Sequence, residues 1–321
     1  MDSLNPIDPI RRDDHVSRRA FVALSCIACA IHGTRPAVAD SSTPKTRFQI
    51  ACMTLPYNQF PLARAIKGIK QAGFEFIAWG TTHRESDAEK AVPVMPIDGT
   101  EFMAKELGKR CRDQGLEPVM MFSMIYPEHQ GALEKLTHRL KQASAAGIPQ
   151  VLTFGHTEGG NRSRWIDVLK KLGPIAADLD VTLVVKQHGG ETGTGKACAE
   201  IVREVNTPGI KVNYDAGNVM DYLNIDPIPD IVECVSEIRS FCMKDHRNWP
   251  KDEDCAPGFG EIDHYRLLDV IAHTGQTIPL CCENIAIPLV PRATTPEEID
   301  LQARRTKIYL ETVIAGLHAK R

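Results

Sequence analysis

Val181-Thr182-Leu183-Val184-Val185-Lys186-Gln187-His188-Gly189-Gly190 is a short apolar, β-branched run that ends on charged and imidazole side chains and then on two glycines. Such a run reads as a strand covered on both faces, the habit of a parallel sheet. The pattern recurs outward in both directions, with β-rich runs alternating with amphipathic stretches a few turns long. Strands are predicted over Phe48–Leu55, Phe74–Gly80, Pro118–Ile125, Gln150–His156, Val181–His188, Ile210–Val219, Ile238–Asp245 and Ile278–Ile285. Apolar residues at helical spacing fill Leu62–Gln71, Glu101–Gln114, Ala132–Ala146 and Asp263–His273. Eight strand–helix units in roughly 280 residues predict an α/β fold, a single (β/α)8 TIM barrel. A doubly wound sheet usually has fewer strands and a glycine-rich first turn. The first turn here, Thr54-Leu55-Pro56-Tyr57-Asn58, has no glycine.

The barrel pattern starts late. Ser17-Arg18-Arg19-Ala20-Phe21-Val22 leads into a mild apolar run to Ile31 and then Pro36-Ala37-Val38-Ala39. That order predicts a twin-arginine export signal cleaved after Ala39, because the apolar run is about half the length that crosses a bilayer and Ala37-x-Ala39 supplies small residues for cleavage. The domain reading is therefore 1–39 signal peptide and 40–321 barrel, delivered by the twin-arginine machinery to the periplasm or otherwise out of the cytoplasm. Cleavage removes five basic and four acidic residues and two cysteines, leaving a formal charge of -4 and eight cysteines.

The whole chain of 321 residues is 43% hydrophobic and 25% charged, with a mean hydropathy of -0.21. Those values exclude a disordered, fibrous or polytopic membrane protein. A net charge of -3 without long charge runs argues against a nucleic-acid surface. The cysteines show no regular spacing that would suggest a zinc ribbon or disulfide framework, and Cys52, Cys242, Cys281 and Cys282 lie inside apolar runs that read as buried strands.

In a (β/α)8 barrel the chemistry sits at the carboxyl ends of the strands. The polar residues there are His83, Glu128, His129, His156, Lys186, His188, Asp215, Asn218, Lys244, Asp245, His246 and Glu283. Any one of them could simply cap a helix, but those from strands five to eight converge over one mouth. Four stretches then carry a family resemblance: Val181 to Gly190, Tyr214-Asp215-Ala216-Gly217-Asn218, Cys242-Met243-Lys244-Asp245, and Pro257-Gly258-Phe259-Gly260-Glu261-Ile262-Asp263 leading to Cys282-Glu283-Asn284. In order and spacing they resemble the xylose isomerase-like sugar phosphate isomerase and epimerase superfamily, which also includes endonuclease IV.

The resemblance implies a divalent metal (Mn, Mg, Zn or Co) held by Glu, Asp, His and Glu on strands five to eight, with the two glutamates moving a proton through an enediolate-like intermediate. Asp215 and Glu283 match. Lys186 stands at the Glu position of strand five and Cys242 at the His position of strand seven. An ammonium in place of a carboxylate opposes a dication. Three arrangements follow. The preferred one is a shifted metal site of His188, Asp215, His246 and Glu283, reached by strand alternation. In the second, Lys186 replaces the metal while Glu283 acts as base. In the third, Lys186 forms a Schiff base with a keto sugar. Lys186 could also do no more than pair with Asp215 or Glu283.

The expected catalytic residues are thus Glu283, Lys186 and His188, with substrate contacts from His83, His156, Asn218, Lys244, Asp245 and Trp249. Trp79 and Trp249 could present aromatic faces to a sugar ring or simply pack in the core. Gly190-Glu191-Thr192-Gly193-Thr194-Gly195-Lys196 has phosphate-loop spacing, but Ala197 holds the Ser/Thr position, so a glycine-rich barrel loop is expected. The function expected is an exported isomerase or epimerase-like enzyme acting on a sugar or keto-sugar derivative by proton abstraction next to a carbonyl. The alternatives are a lyase or hydrolase on oxidised glycosides and a non-catalytic carbohydrate-binding barrel. A small sugar or glycoside is the expected partner, with no nucleic acid and no stable membrane insertion. A repair nuclease like endonuclease IV is disfavoured by the export signal, the acidity and the missing ligands.

Overall fold

Eight parallel strands close on themselves in the computed structural model, which describes residues 44–85, 90–155 and 159–319. The expected export segment lies outside the described residues, as does His156. The barrel strands are β1 (Arg47–Met53), β2 (Phe76–Trp79), β3 (Glu117–Phe122), β4 (Gln150–Phe154), β5 (Thr182–Lys186), β6 (Ile210–Tyr214), β7 (Ile238–Met243) and β8 (Thr277–Cys282). They pair in sequence order, and β8 returns to β1 with Cys52 opposite Cys282. Helices α1 (Leu62–Gln71), α2 (Glu101–Asp113), α3 (Ala132–Ala146), α4 (Arg162–Asp178), α5 (Gly195–Val205), α6 (Ala216–Leu223), α7 (Pro227–Val232), α8 (His264–Asp269) and α9 (Pro296–Ala319) occupy the connections and the end of the described chain.

Strand alternation sorts the apolar residues into two cores. Ala51, Met53, Met120, Leu152, Phe154, Val184, Cys242 and Cys281 fill the barrel interior. Val151, Leu183, Val185, Val212, Phe241, Leu280 and Cys282 belong to the larger core shared with helix residues such as Leu136, Leu169 and Ile201. Each fully buried Val or Leu contributes about 1.5–3 kcal/mol, so this double layer is the main stabilising element. All eight cysteines among the described residues are buried and free.

The expected strands run past the observed ones at their carboxyl ends. The expected sixth strand reaches Val219, but β6 stops at Tyr214 because the Asp215 side chain accepts the N–H of Asn218 at 2.9 Å and starts α6. The fifth stops at Lys186, where Gly189 and Gly190 follow at positive φ and turn the chain. The seventh stops at Met243, and Asp245–Arg247 pairs antiparallel with Glu253–Cys255 as a hairpin above the barrel. Alternation therefore places Lys186 in the mouth but no longer governs His188 or His246. Among the described residues, no helix is long and apolar enough to cross a membrane.

Candidate functional site

Three inward-facing strand ends place ionised groups over the barrel interior. The Lys186 ammonium, at the end of β5, lies 2.8 Å from Asp215 Oδ2 and donates to Glu283 Oε2 at 2.6 Å. The approach to Asp215 is a charge contact rather than a well-directed hydrogen bond. Lys186 is 2% exposed, Asp215 is fully buried, and the Glu283 side chain keeps 15% exposure, so Glu283 is the solvent-facing member. The Phe122 ring lies 5.5 Å from Nζ and shields it from water.

The surroundings hold this triad rigidly. Asp215 caps α6 with Oδ1 and donates its own N–H to Gln187 Oε1 at 2.8 Å. Asn218 Nδ2 donates to the Gln187 carbonyl at 2.7 Å. Below them, Asn213 Oδ1 accepts the Cys242 N–H at 3.1 Å. Burial opposes the charge on Lys186, but the Asp215 and Glu283 carboxylates outweigh it and hold the ammonium well above its ordinary value. Burial likewise raises Glu283, while Lys186 and Lys244 win and hold its carboxyl below the usual range.

The ligand atoms of Asp215, Cys242 and Glu283 lie within 4.8 Å of one another, so candidate metal donors exist at this centre. The donor set does not fit a dication, however, while Lys186 is charged. Two unit charges about 4 Å apart interact by about 4 kcal/mol at an effective dielectric near 20, and a dication doubles that repulsion. Burial also drives the Cys242 thiol well above its ordinary pKa, so it is not a ready thiolate.

The shifted ligand set is not brought together among the described residues. The other donor grouping within 4.8 Å is Asp221, His246 and Asp252, so neither His188 nor His246 joins Asp215 and Glu283. His188 packs against Phe154 with ring centroids at 4.3 Å and against Tyr222 at 5.4 Å. Burial and the nearby Lys186 push its imidazole down to about 4, leaving it neutral at pH 7.

The remaining expected contacts divide between the mouth and the scaffold. Lys244 donates to Asp254 Oδ2 at 2.6 Å, and its stem crosses Gly217, where a Cβ would lie 2.6 Å from Lys244 Cγ. Asp245 is fully buried and accepts the N–H groups of His246, Gly258 and Ile262, which fastens the loop after the hairpin. His83 is 1% exposed and bonds the Phe60 carbonyl through Nδ1 at 2.8 Å, and burial lowers its pKa. Trp249 is 80% exposed, whereas Trp79 lies in the outer core. The glycine-rich loop sets no phosphate cradle, since the Gly195 N–H at the start of α5 is taken by Asp230 Oδ2 at 2.7 Å.

Sequence reasoning missed Phe122, Gln187, Tyr222 and Asp254. Phe122 could have been found, because it shares the inward face of its strand with Met120. The others lie beyond the strand ends, where no barrel periodicity records the path of the chain.

A cavity of about 620 Å³ adjoins Glu283, lined by Asn58, Phe60, Asn284, Arg292 and Gln302 from the loops after β1 and β8 and from α9. Its size lies within the range for small-molecule sites, roughly 300–1,000 Å³.

A protein-family profile described as xylose isomerase-like TIM barrel matches residues 66–305. The chain is similar in fold to a xylose isomerase-like TIM barrel protein from Mycobacterium smegmatis in complex with magnesium, with 14% identity, TM-score 0.64, and coverage of 86% of this chain and 98% of that one. L-ribulose 3-epimerase superposes with 15% identity, TM-score 0.63, and coverage of 84% and 96%. The IOLI protein with a bound zinc atom gives 14% identity, TM-score 0.65, and coverage of 84% and 99%. No curated protein sequence matches this chain.

Proposed function

Because this chain belongs to the xylose isomerase-like TIM barrel family, we propose that it is an exported enzyme that moves a proton next to the carbonyl of a sugar or keto-sugar derivative. In this proposal the Lys186 ammonium takes the place of the metal bound in some relatives. The observation that carries it is the buried ammonium shared at 2.8 and 2.6 Å by Asp215 and Glu283, with Glu283 at the edge of the mouth cavity.

The substrate enters from the cavity between the β1 and β8 loops and brings its carbonyl oxygen to Lys186. Charge building on that oxygen is stabilised by an ammonium already desolvated and held charged at the site, so that only a short turn of its Nζ is needed. As Lys186 turns toward the oxygen, its hold on Glu283 weakens and the carboxylate becomes a stronger base. Glu283 then removes the neighbouring C–H proton. Return of that proton to the carbonyl carbon, with the neighbouring hydroxyl proton passing to the carbonyl oxygen, isomerises the sugar. Departure of a leaving group from the carbon β to the carbonyl, with the Glu283 proton passing to that group, instead completes an elimination on an oxidised glycoside. Asp215, committed to capping α6, keeps Lys186 charged throughout. That same pairing disfavours a Schiff base, which starts from a neutral amine.

The relatives whose descriptions name an L-ribulose 3-epimerase and a D-tagatose 3-epimerase-like protein support a small keto sugar as the substrate class. The test is solvent hydrogen exchange in D2O, followed by NMR, across keto sugars and oxidised glycosides. Glu283→Gln and Lys186→Met are expected to slow exchange on the order of 10²–10⁴-fold. If neither variant alters exchange or turnover of any substrate while sugar binding persists, the protein is a binding barrel and the proposal fails.

A further inference from the structure

A second polar cluster lies outside this triad, where the hairpin Asp245–Arg247/Glu253–Cys255 meets α6. His246 stands opposite Asp254 in the hairpin register. It is fully buried, and its Nδ1 lies 3.1 Å from Asp254 Oδ1. A carboxylate at that nitrogen takes the Nδ1–H and leaves the Nε2 lone pair free. Nε2 is buried without a hydrogen-bond partner, and the nearest carboxylate oxygen, Asp252 Oδ1, is 3.4 Å away. Asp221 reaches the same point from the last turns of α6, and its ligand atom, that of Asp252 and that of His246 all lie within 4.8 Å of one another.

The charges around this point are unbalanced. Lys244 pairs with Asp254, but neither Asp221 nor Asp252 forms an ion pair with a lysine or arginine among the described residues. Two carboxylates without a lysine or arginine partner and one imidazole offer three donors on one side. That set suits a borderline dication of the zinc or manganese kind, with water in the open positions. Donor atoms about 2 Å from such an ion lie about 3–3.5 Å apart, so the ring needs only slight closure. Asp252, 73% exposed on the hairpin turn, is free to provide it.

We propose that Asp221, His246 and Asp252 form a divalent-cation site, oriented by Asp254, that clamps the hairpin onto α6. The site is separate from the Lys186 triad and does not depend on the catalytic role given to it. The clamp spans two elements that lead into the mouth, since α6 begins behind Asp215 and the hairpin follows Lys244. The ion thereby fixes the spacing of Lys244 and Asp254 against Asp215.

The test is calorimetric titration of Zn2+ into the chelator-treated full chain, with Co2+ absorption as a report on imidazole ligation. The wild type is expected to take up one ion, and Asp221→Asn and Asp252→Asn to weaken it at least about tenfold. His246→Gln is expected to abolish the Co2+ band given by the wild type. Because Asp252 sits on an exposed turn, Asp252→Asn keeps the test valid if His246→Gln fails to fold. Absence of uptake by the wild type, or affinity unchanged in both aspartate variants, overturns the proposal. So does loss of uptake in Glu283→Gln alone, which would place the ion in the barrel centre.

Discussion

Lys186→Met removes the ammonium from between two carboxylates while nearly conserving the volume of the stem, so charge rather than packing dominates the result. Removing one member of a buried ion pair costs about 3–5 kcal/mol, because an uncompensated charge is left behind. Here Asp215 is fully buried, Glu283 is 15% exposed, and both lose the same partner, which puts the expected loss near the upper end. Urea unfolding at pH 7 reads it as a fall in the midpoint at constant slope.

The pH dependence gives a second check. In the wild type, burial raises the Glu283 carboxyl but Lys186 and Lys244 bring it down to about 2. This is below the value of about 4.3 in an unfolded chain. Its contribution is therefore complete above about pH 4.3 and is lost as the pH falls toward 2. In Lys186→Met the two adjacent carboxylates repel, and one carboxyl moves above its unfolded value. That variant gains stability on acidification, so its deficit narrows between pH 7 and pH 5. A deficit under about 1 kcal/mol, or one that does not change with pH, would refute the electrostatic reading of the triad.

Three further outcomes follow from the same geometry. Glu283→Gln retains the fold but loses solvent hydrogen exchange, read by NMR on any sugar that the wild type processes. Gly260→Ala drives a Cβ into Asp245 Oδ1 and the His246 carbonyl, and thermal unfolding should show a loss of about 1–3 kcal/mol. His188 is held down to about 4 by burial and Lys186, below the roughly 6.5 of an unfolded chain, so it costs stability progressively as the pH falls from 6.5 toward 4. His188→Phe should lessen that acid sensitivity in equilibrium unfolding.

The barrel was legible because both faces of each strand are buried, and that leaves uninterrupted apolar runs such as Leu183-Val184-Val185 of β5, flanked by turn residues. Lys186, Asp215 and Glu283 were legible for a related reason: each directly ends or follows a run whose alternation fixes its direction. Two steps beyond the strand, alternation carries no information. His188 lies at a glycine turn and His246 within a hairpin, so the four-residue ligand set built on them did not assemble. Asp254 and Asp221 meet His246 only through the hairpin register and the length of α6, contacts between segments that no single stretch encodes.

The proposed function rests on Lys186 supplying the charge stabilisation at this barrel mouth without a metal. The most direct test is deuterium incorporation next to the carbonyl by the Asp252→Asn protein, in which the outer cation clamp is weakened, with and without chelator. The account predicts equal rates in both conditions and loss of exchange when Lys186→Met is added. Exchange that stops with chelator and returns with added divalent metal would contradict it.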